Sequence, residues 1–196
     1  MKIYFAGPLF TPYVRQFISE HAKILRENGI DVFVPHEKSL MDITSEKIDA
    51  LISEGLLSPE DLNGKPPAAT VLEMVRKGRL TREQVGLPEY TAENVFDTDY
   101  EGLSTADAVL AVLDGTQVDD GTACEIGIFY GLSLKDPAKK GIVGLMTDSR
   151  GIRKKETGYG LNLFVLGVLE ELGPIYDNFE DVLAQLKSWD EEIKAN

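Results

Sequence analysis

Short apolar runs alternate with helical patterns along most of the chain, and this rhythm restricts the fold more than any other property of the sequence. The runs Ile3 to Ala6, Val32 to Val34, Ala108 to Leu113 and Ile142 to Met146, with a weaker fifth at Pro174 to Tyr176, are of strand length. Strands without a polar face belong inside a parallel sheet, because the crossovers that join parallel strands lay helices over both faces. The expected fold is therefore α/β: a doubly wound, mainly parallel five-stranded sheet of the flavodoxin or Rossmann-like kind. Ligands of such sheets sit beyond the carboxyl ends of the strands. The loops expected to carry function are thus 7–10, 35–38, 114–120 and 147–162.

From about residue 40 to residue 92 the rhythm stops, and a weak repeat appears with an offset of 23 residues. The stretch Leu51 to Leu62 matches Met74 to Val85; in each copy a helix end is followed by a glycine, Gly55 or Gly78, and then by a helix-start hydroxyl, Ser58 or Thr81. Two copies are too few for a solenoid, which needs about three to bury a continuous core. The segment reads as a helical insertion that packs on the sheet, or borders a pocket or subunit interface, within a single domain spanning residues 1–196. No Ser/Gly-rich or Pro-rich linker divides the chain.

Charge and composition narrow the partners. A formal net charge of −13 disfavours nucleic acid, whose binding depends on clustered Lys and Arg. No apolar run approaches the roughly 20 residues of a membrane-spanning helix. The lone cysteine, Cys124, has no partner for an internal disulfide, and the chain opens on a strand-like segment where a secretory leader would stand. A cytoplasmic location is expected. A cysteine nucleophile would want a histidine base. Only His21 and His36 exist; His21 falls in the charged amphipathic stretch 12–28 and reads as a solvated helix residue, whereas His36 follows a strand. The same scarcity disfavours zinc.

Chemistry concentrates in Asp119-Asp120-Gly121-Thr122-Ala123-Cys124-Glu125, which leads from the third strand into a helix. Glu125 is expected early in a mostly buried helix, near the positive end of its dipole, where an ionised carboxylate is favoured. The plainer alternative makes Asp119 or Asp120 an N-cap and Glu125 an ordinary first-turn acid. A second acidic group, containing Asp97 and Asp99, precedes the third strand. If the two groups converge, one carboxylate stays charged and another holds a proton, a division suited to glycosyl cleavage; otherwise Asp97 and Asp99 are helix-start acids. A magnesium-dependent phosphohydrolase using Asp97, Asp99, Asp119 and Asp120 is a competing reading, but no glycine-rich phosphate cradle accompanies these residues. The basic group Arg150, Arg153, Lys154 and Lys155 is either a solvated loop or a phosphate contact.

The blocks Ile3 to Phe10, Asp99, Asp107 to Leu113, Asp119 to Gly127 and Gly160 to Leu163, in that order, resemble the nucleoside 2-deoxyribosyltransferases. The D-x-G-T-A-x-E block is the more specific of them, and the insertion departs from the shorter members. The resemblance implies Glu125 as a nucleophile at C1′ of deoxyribose, forming a covalent deoxyribosyl ester that a second nucleobase resolves by double displacement. Asp99 and Asp119 look like the carboxylates that recognise and protonate the base, and Tyr4 like the phenol that orients Glu125. Gly7, Phe10, Gly121, Asn162 and Phe164 look like substrate contacts. In the family Asn162 arrives from a neighbouring subunit, which implies a homo-oligomer. The substrates implied are a 2′-deoxyribonucleoside and a free nucleobase in nucleotide salvage, with no metal or organic cofactor. Two other readings stand beside this one: a nucleoside or 5′-nucleotide N-glycosidase on the same scaffold, and a nucleotide-sensing module without turnover.

Overall fold

A computed structural model describes residues 1–195, with the side chains of residues 40 and 41 outside the description. In chain order the elements begin with β1 (Lys2–Ala6), α1 (Pro12–Glu27) and β2 (Asp31–Phe33). Four helices follow: α2 (Pro35–Met41), α3 (Ser45–Ser53), α4 (Pro59–Leu62) and α5 (Pro67–Arg76). Next come α6 (Ala92–Thr105), β3 (Ala108–Val112), α7 (Asp120–Ser133), β4 (Gly141–Leu145) and α8 (Ser149–Ile152). After a 3₁₀ segment, Lys155–Gly160, the chain ends in α9 (Leu163–Leu172), β5 (Ile175–Tyr176) and α10 (Phe179–Ala195). The chain divides into two compact units, Met1–Pro35 with Tyr100–Asn196, and His36–Asp99.

The first unit holds a five-stranded sheet, every neighbouring pair parallel, in the order β2-β1-β3-β4-β5. The expected doubly wound α/β fold is present. Its two-sided burial follows from the strand period of two. Ile3 and Phe5 of β1, Leu110 and Val112 of β3, and Val143 of β4 meet Ile18, Ala22 and Leu25 of α1 and Val182 and Leu186 of α10 on one face. Tyr4 and Ala6, Val109 and Ala111, and Ile142 meet Leu103 of α6, Ile126 and Phe129 of α7, and Leu166 and Leu169 of α9 on the other. The side chain of Asp107 fastens the strand ends by accepting from the Lys2 amide at 2.7 Å. His21, expected in solvent, is half-buried between Phe17 and Phe179, because the helix turns it toward α10.

The second unit is helical and has its own apolar core, and the repeat read from the sequence is a repeat of structure. The amides of Leu56 and Leu57 both reach the Leu51 carbonyl, as those of Arg79 and Leu80 both reach that of Met74. Gly55 and Gly78 each take φ +70°, a left-handed value that glycine adopts without steric cost. Ser58 and Asp61 then exchange side chain-to-amide hydrogen bonds, and so do Thr81 and Gln84. Equivalent residues of the two copies, Leu51 with Met74 and Leu57 with Leu80, are buried in the same cluster.

Gly141 opens β4 with φ +147°, and a Cβ there would lie 2.0 Å from the Leu172 carbonyl oxygen, a backbone atom that cannot rotate away. Gly141→Ala is expected to cost about 2–4 kcal/mol of stability, the range of strained backbone plus overpacking. Urea unfolding measures it.

Candidate active site

The chain turns outward from β1 on one side to β2 and on the other to β3, so the switch point lies between β1 and β3, where this strand order binds ligands. Tyr4 sits on β1 opposite Phe33 of β2 and Val109 of β3. That register stacks the Tyr4 and Phe33 rings, with centroids 5.4 Å apart. Gly102 of α6 makes room for the stack: a Cβ there would come within 2.7 Å of the Phe33 ring. The Tyr4 ring is fully buried, and its hydroxyl donates to Glu125 Oε1 at 2.5 Å.

Glu125 is half-buried and is the sixth residue of α7, in its second turn. The helix dipole acts mainly within the first turn, whereas the Tyr4 hydroxyl contacts this carboxylate directly. The helix itself is less buried than its apolar sequence suggests: Thr122, Ile126 and Phe129 form its buried face, while Gly127 and Cys124 are exposed. Asp119 is the N-cap. Its Oδ2 accepts from the Thr122 amide at 3.1 Å and from the Thr122 hydroxyl at 3.3 Å. A Cβ on Gly121 would stand 3.1 Å from that same oxygen, which is the local reason for glycine in the D-x-G-T run. The capping reading of Asp119 therefore holds, while Glu125 is no first-turn acid.

A cavity of about 890 Å³ opens at the carboxyl ends of β1, β3 and β4. Phe10 and Asp119 line it; Tyr4 and Glu125 do not. Its apolar wall includes Val112 and the α1 residues Val14 and Phe17, which pack with the sheet face opposite to that of Tyr4. Sequence reasoning missed the α1 wall, because Tyr13 and Phe17 read only as positions of an amphipathic helix. Gly7 stands at the end of β1 against α1, where a Cβ would meet Ile18 Cδ1 at 2.9 Å. Asn162 caps α9, accepting from the Phe164 amide at 2.9 Å, and Phe164 is 85% exposed. Arg150 of the basic group is committed to Asp148, with Nε 3.0 Å from both carboxylate oxygens. No group of three or more His, Cys, Asp or Glu side chains among the described residues is arranged to hold a metal ion.

Asp97 and Asp99 lie inside α6, not at its start, so neither is a helix-start acid. Asp97 is exposed and Asp99 half-buried. Burial removes the Asp99 carboxylate from water and pushes its pKa up to about 6.

These features define a class: an all-parallel, doubly wound α/β protein with a tyrosine-held carboxylate on the helix after its central strand. More narrowly, the chain belongs to the nucleoside 2-deoxyribosyltransferase family, whose model matches residues 3–164. A conserved protein from Enterococcus faecalis V583 shares the fold, with a TM-score of 0.60 at 22% identity over 96% of this chain and 98% of that one. No curated protein matches. No helix among the described residues is long and apolar enough to cross a membrane.

The raised Asp99 carboxyl has a measurable consequence. Between the ordinary carboxylate range near about 4 and the folded value, the folded chain keeps a proton that the unfolded chain has lost, so this residue makes stability fall as pH rises through that window. Asp99→Asn is expected to remove that fall. The difference between wild-type and variant urea-unfolding curves from pH 4 to 6.5 isolates it from the carboxylates with lowered pKa, such as Asp148 and Asp190, whose effect has the opposite sign.

Proposed function

We propose that the protein transfers the 2-deoxyribosyl group between nucleobases by double displacement, with Glu125 as nucleophile. The observation that carries this reading is the hydrogen bond from the buried Tyr4 hydroxyl to Glu125, within a chain of this family. A carboxylate held by a rigid phenol is kept in one orientation for attack, and its charge stabilises the oxocarbenium character of the transition state.

In the first displacement a Glu125 carboxylate oxygen forms a bond to C1′ as the glycosidic C1′–N bond breaks. The base leaves with that electron pair and takes a proton from an acid, a role given to Asp99 with Asp119. A carboxyl with pKa about 6 suits this step, since a general acid works best when its pKa lies near the operating pH. In the second displacement a ring nitrogen of an incoming base attacks C1′, the ester C1′–O bond breaks, and Glu125 recovers its carboxylate while the new base returns its proton. Two inversions restore the β configuration.

Gly7, Phe10 and Gly121 are assigned to the substrate-binding surface, with Asn162 and Phe164 supplied by a second subunit in a homo-oligomer. Supporting the oligomer, Leu163 and Phe164 at the start of α9, and Leu134 just past α7, are apolar yet 77%, 85% and 68% exposed. The reaction needs no metal or organic cofactor, and its place is cytoplasmic nucleotide salvage.

Purified protein given deoxyadenosine and a free second base should form the second deoxynucleoside. Glu125→Ala should lower this rate at least about a thousandfold. Tyr4→Phe should lower it about ten- to a hundredfold, the worth of a hydrogen bond to a charged group. Free deoxyribose accumulating with no exchanged nucleoside would replace the transferase with an N-glycosidase, and unimpaired exchange by Glu125→Ala would end the assignment.

A further inference from the structure

We propose that Phe33 is a positioning residue for the transfer reaction: its ring sets the aim of the Tyr4 phenol and, through it, of Glu125. The inference rests on the reading of Glu125 as nucleophile and extends it to a side chain that does not line the cavity. Two independent observations carry it, one on each side of the Phe33 ring's surroundings: the stack on Tyr4 and the glycine of α6.

Tyr4 has two neighbours in register, Val109 of β3 and Phe33 of β2. Val109 is small and branched at Cβ, so of these two only Phe33 offers the phenol a flat partner, and the two rings lie 16° from parallel. Such a pair gains more than its area burial and resists tilting of either ring. β2 supplies no substitute, because Val32 packs with the opposite sheet face and Asp31 is exposed. The consequence for Glu125 is a matter of leverage. A tilt of about 10° at the root of a phenol carries its oxygen about 1 Å, the scale on which positioned groups lose their function. The hydroxyl of Tyr4 stands 2.5 Å from Glu125 Oε1, a separation that leaves no slack for such a movement.

Gly102 shows that the position of the Phe33 ring is itself held. Glycine weakens a helix interior, and Gly102 lies well inside α6 without a positive φ, so no turn or left-handed backbone asks for it. What asks for it is the ring: a Cβ there would stand 2.7 Å from Phe33 Cδ1 and Cε1 and 3.0 Å from Cζ. The buried backbone of α6 therefore rests directly on the ring that stacks against Tyr4. β2 is an edge strand of three residues with β1 as its one partner. The contact with α6 gives Phe33 the second support that a central strand would draw from a second neighbour. Helix, ring and phenol then form one packed series that ends at the Glu125 carboxylate.

Phe33→Leu keeps an apolar side chain and loses the flat face. It should lower kcat for deoxynucleoside exchange about tenfold and leave KM for the deoxynucleoside within about twofold of wild type, since Phe33 stands outside the cavity. The loss should vanish in the Tyr4→Phe background, where the double variant should exchange at the rate of Tyr4→Phe alone, because Phe33 acts through the phenol hydroxyl. Gly102→Ala, which displaces the ring without removing it, should act in the same direction and show the same dependence on Tyr4. The crystal structure of Phe33→Leu supplies a readout that needs no turnover, and should show the Tyr4 hydroxyl out of hydrogen-bond reach of Glu125. Wild-type kcat in Phe33→Leu, a change confined to KM, a loss that persists in full beside Tyr4→Phe, or a hydroxyl still seated on Glu125 in the variant crystal would each overturn the proposal while leaving Glu125 as nucleophile. Wild-type exchange by Glu125→Ala would instead bring down the nucleophile reading, and this proposal with it.

Discussion

The sheet unit depends on β1, β3 and β4 being apolar on both faces. A slip by one residue would carry every side chain to the opposite face, and here each would then enter a different packed cluster, so the shapes of the two clusters hold the register. This two-sided burial fixes register, and register fixes the chemistry. It places Tyr4 of β1 beside Phe33 of β2, stacks the two rings, and turns the phenol toward α7, where its hydroxyl meets Glu125. The pair at the heart of the candidate site is thus a product of the core: its donor is as buried as any residue in the protein.

The loop that leads to Glu125 is built for cap geometry. Asp119 spends one oxygen on the Thr122 amide and hydroxyl, Thr122 is itself buried, and Gly121 leaves space for that oxygen. Structural and functional readings of the acidic run are therefore compatible. A residue that starts a helix can also present its second oxygen to a ligand, and Asp119 does line the cavity. The helical residues 36–99 fold around their own cluster of aliphatic side chains.

Much of this was legible from residues alone. The strands are visible because parallel strands advertise themselves as short unbroken apolar runs, and all five lie within a residue or two of their expected positions. The repeat at 51–62 and 74–85 was legible because helix ends and caps use few residue types for specific geometric reasons. Less legible were features set by tertiary contact. The burial of His21 depends on Phe179, far along the chain, and the partial exposure of α7 cannot be told from a fully buried helix by apolar content. The raised pKa of Asp99 comes from burial, which no local pattern encodes. Of the cavity, the loops after β1, β3 and β4 follow from the strand pattern, whereas the wall of Tyr13, Val14 and Phe17 does not, because only tertiary packing turns that side of α1 toward the strand ends.

The central claim is that Glu125 forms a bond to C1′ of deoxyribose. Incubation with a deoxynucleoside and no acceptor base, followed by acid quench, proteolysis and mass spectrometry, tests it most directly. The account predicts a peptide containing Glu125 heavier by one deoxyribosyl group, with the added mass removed by a second base. An adduct on another residue, or exchange proceeding with Glu125 never modified, would contradict it.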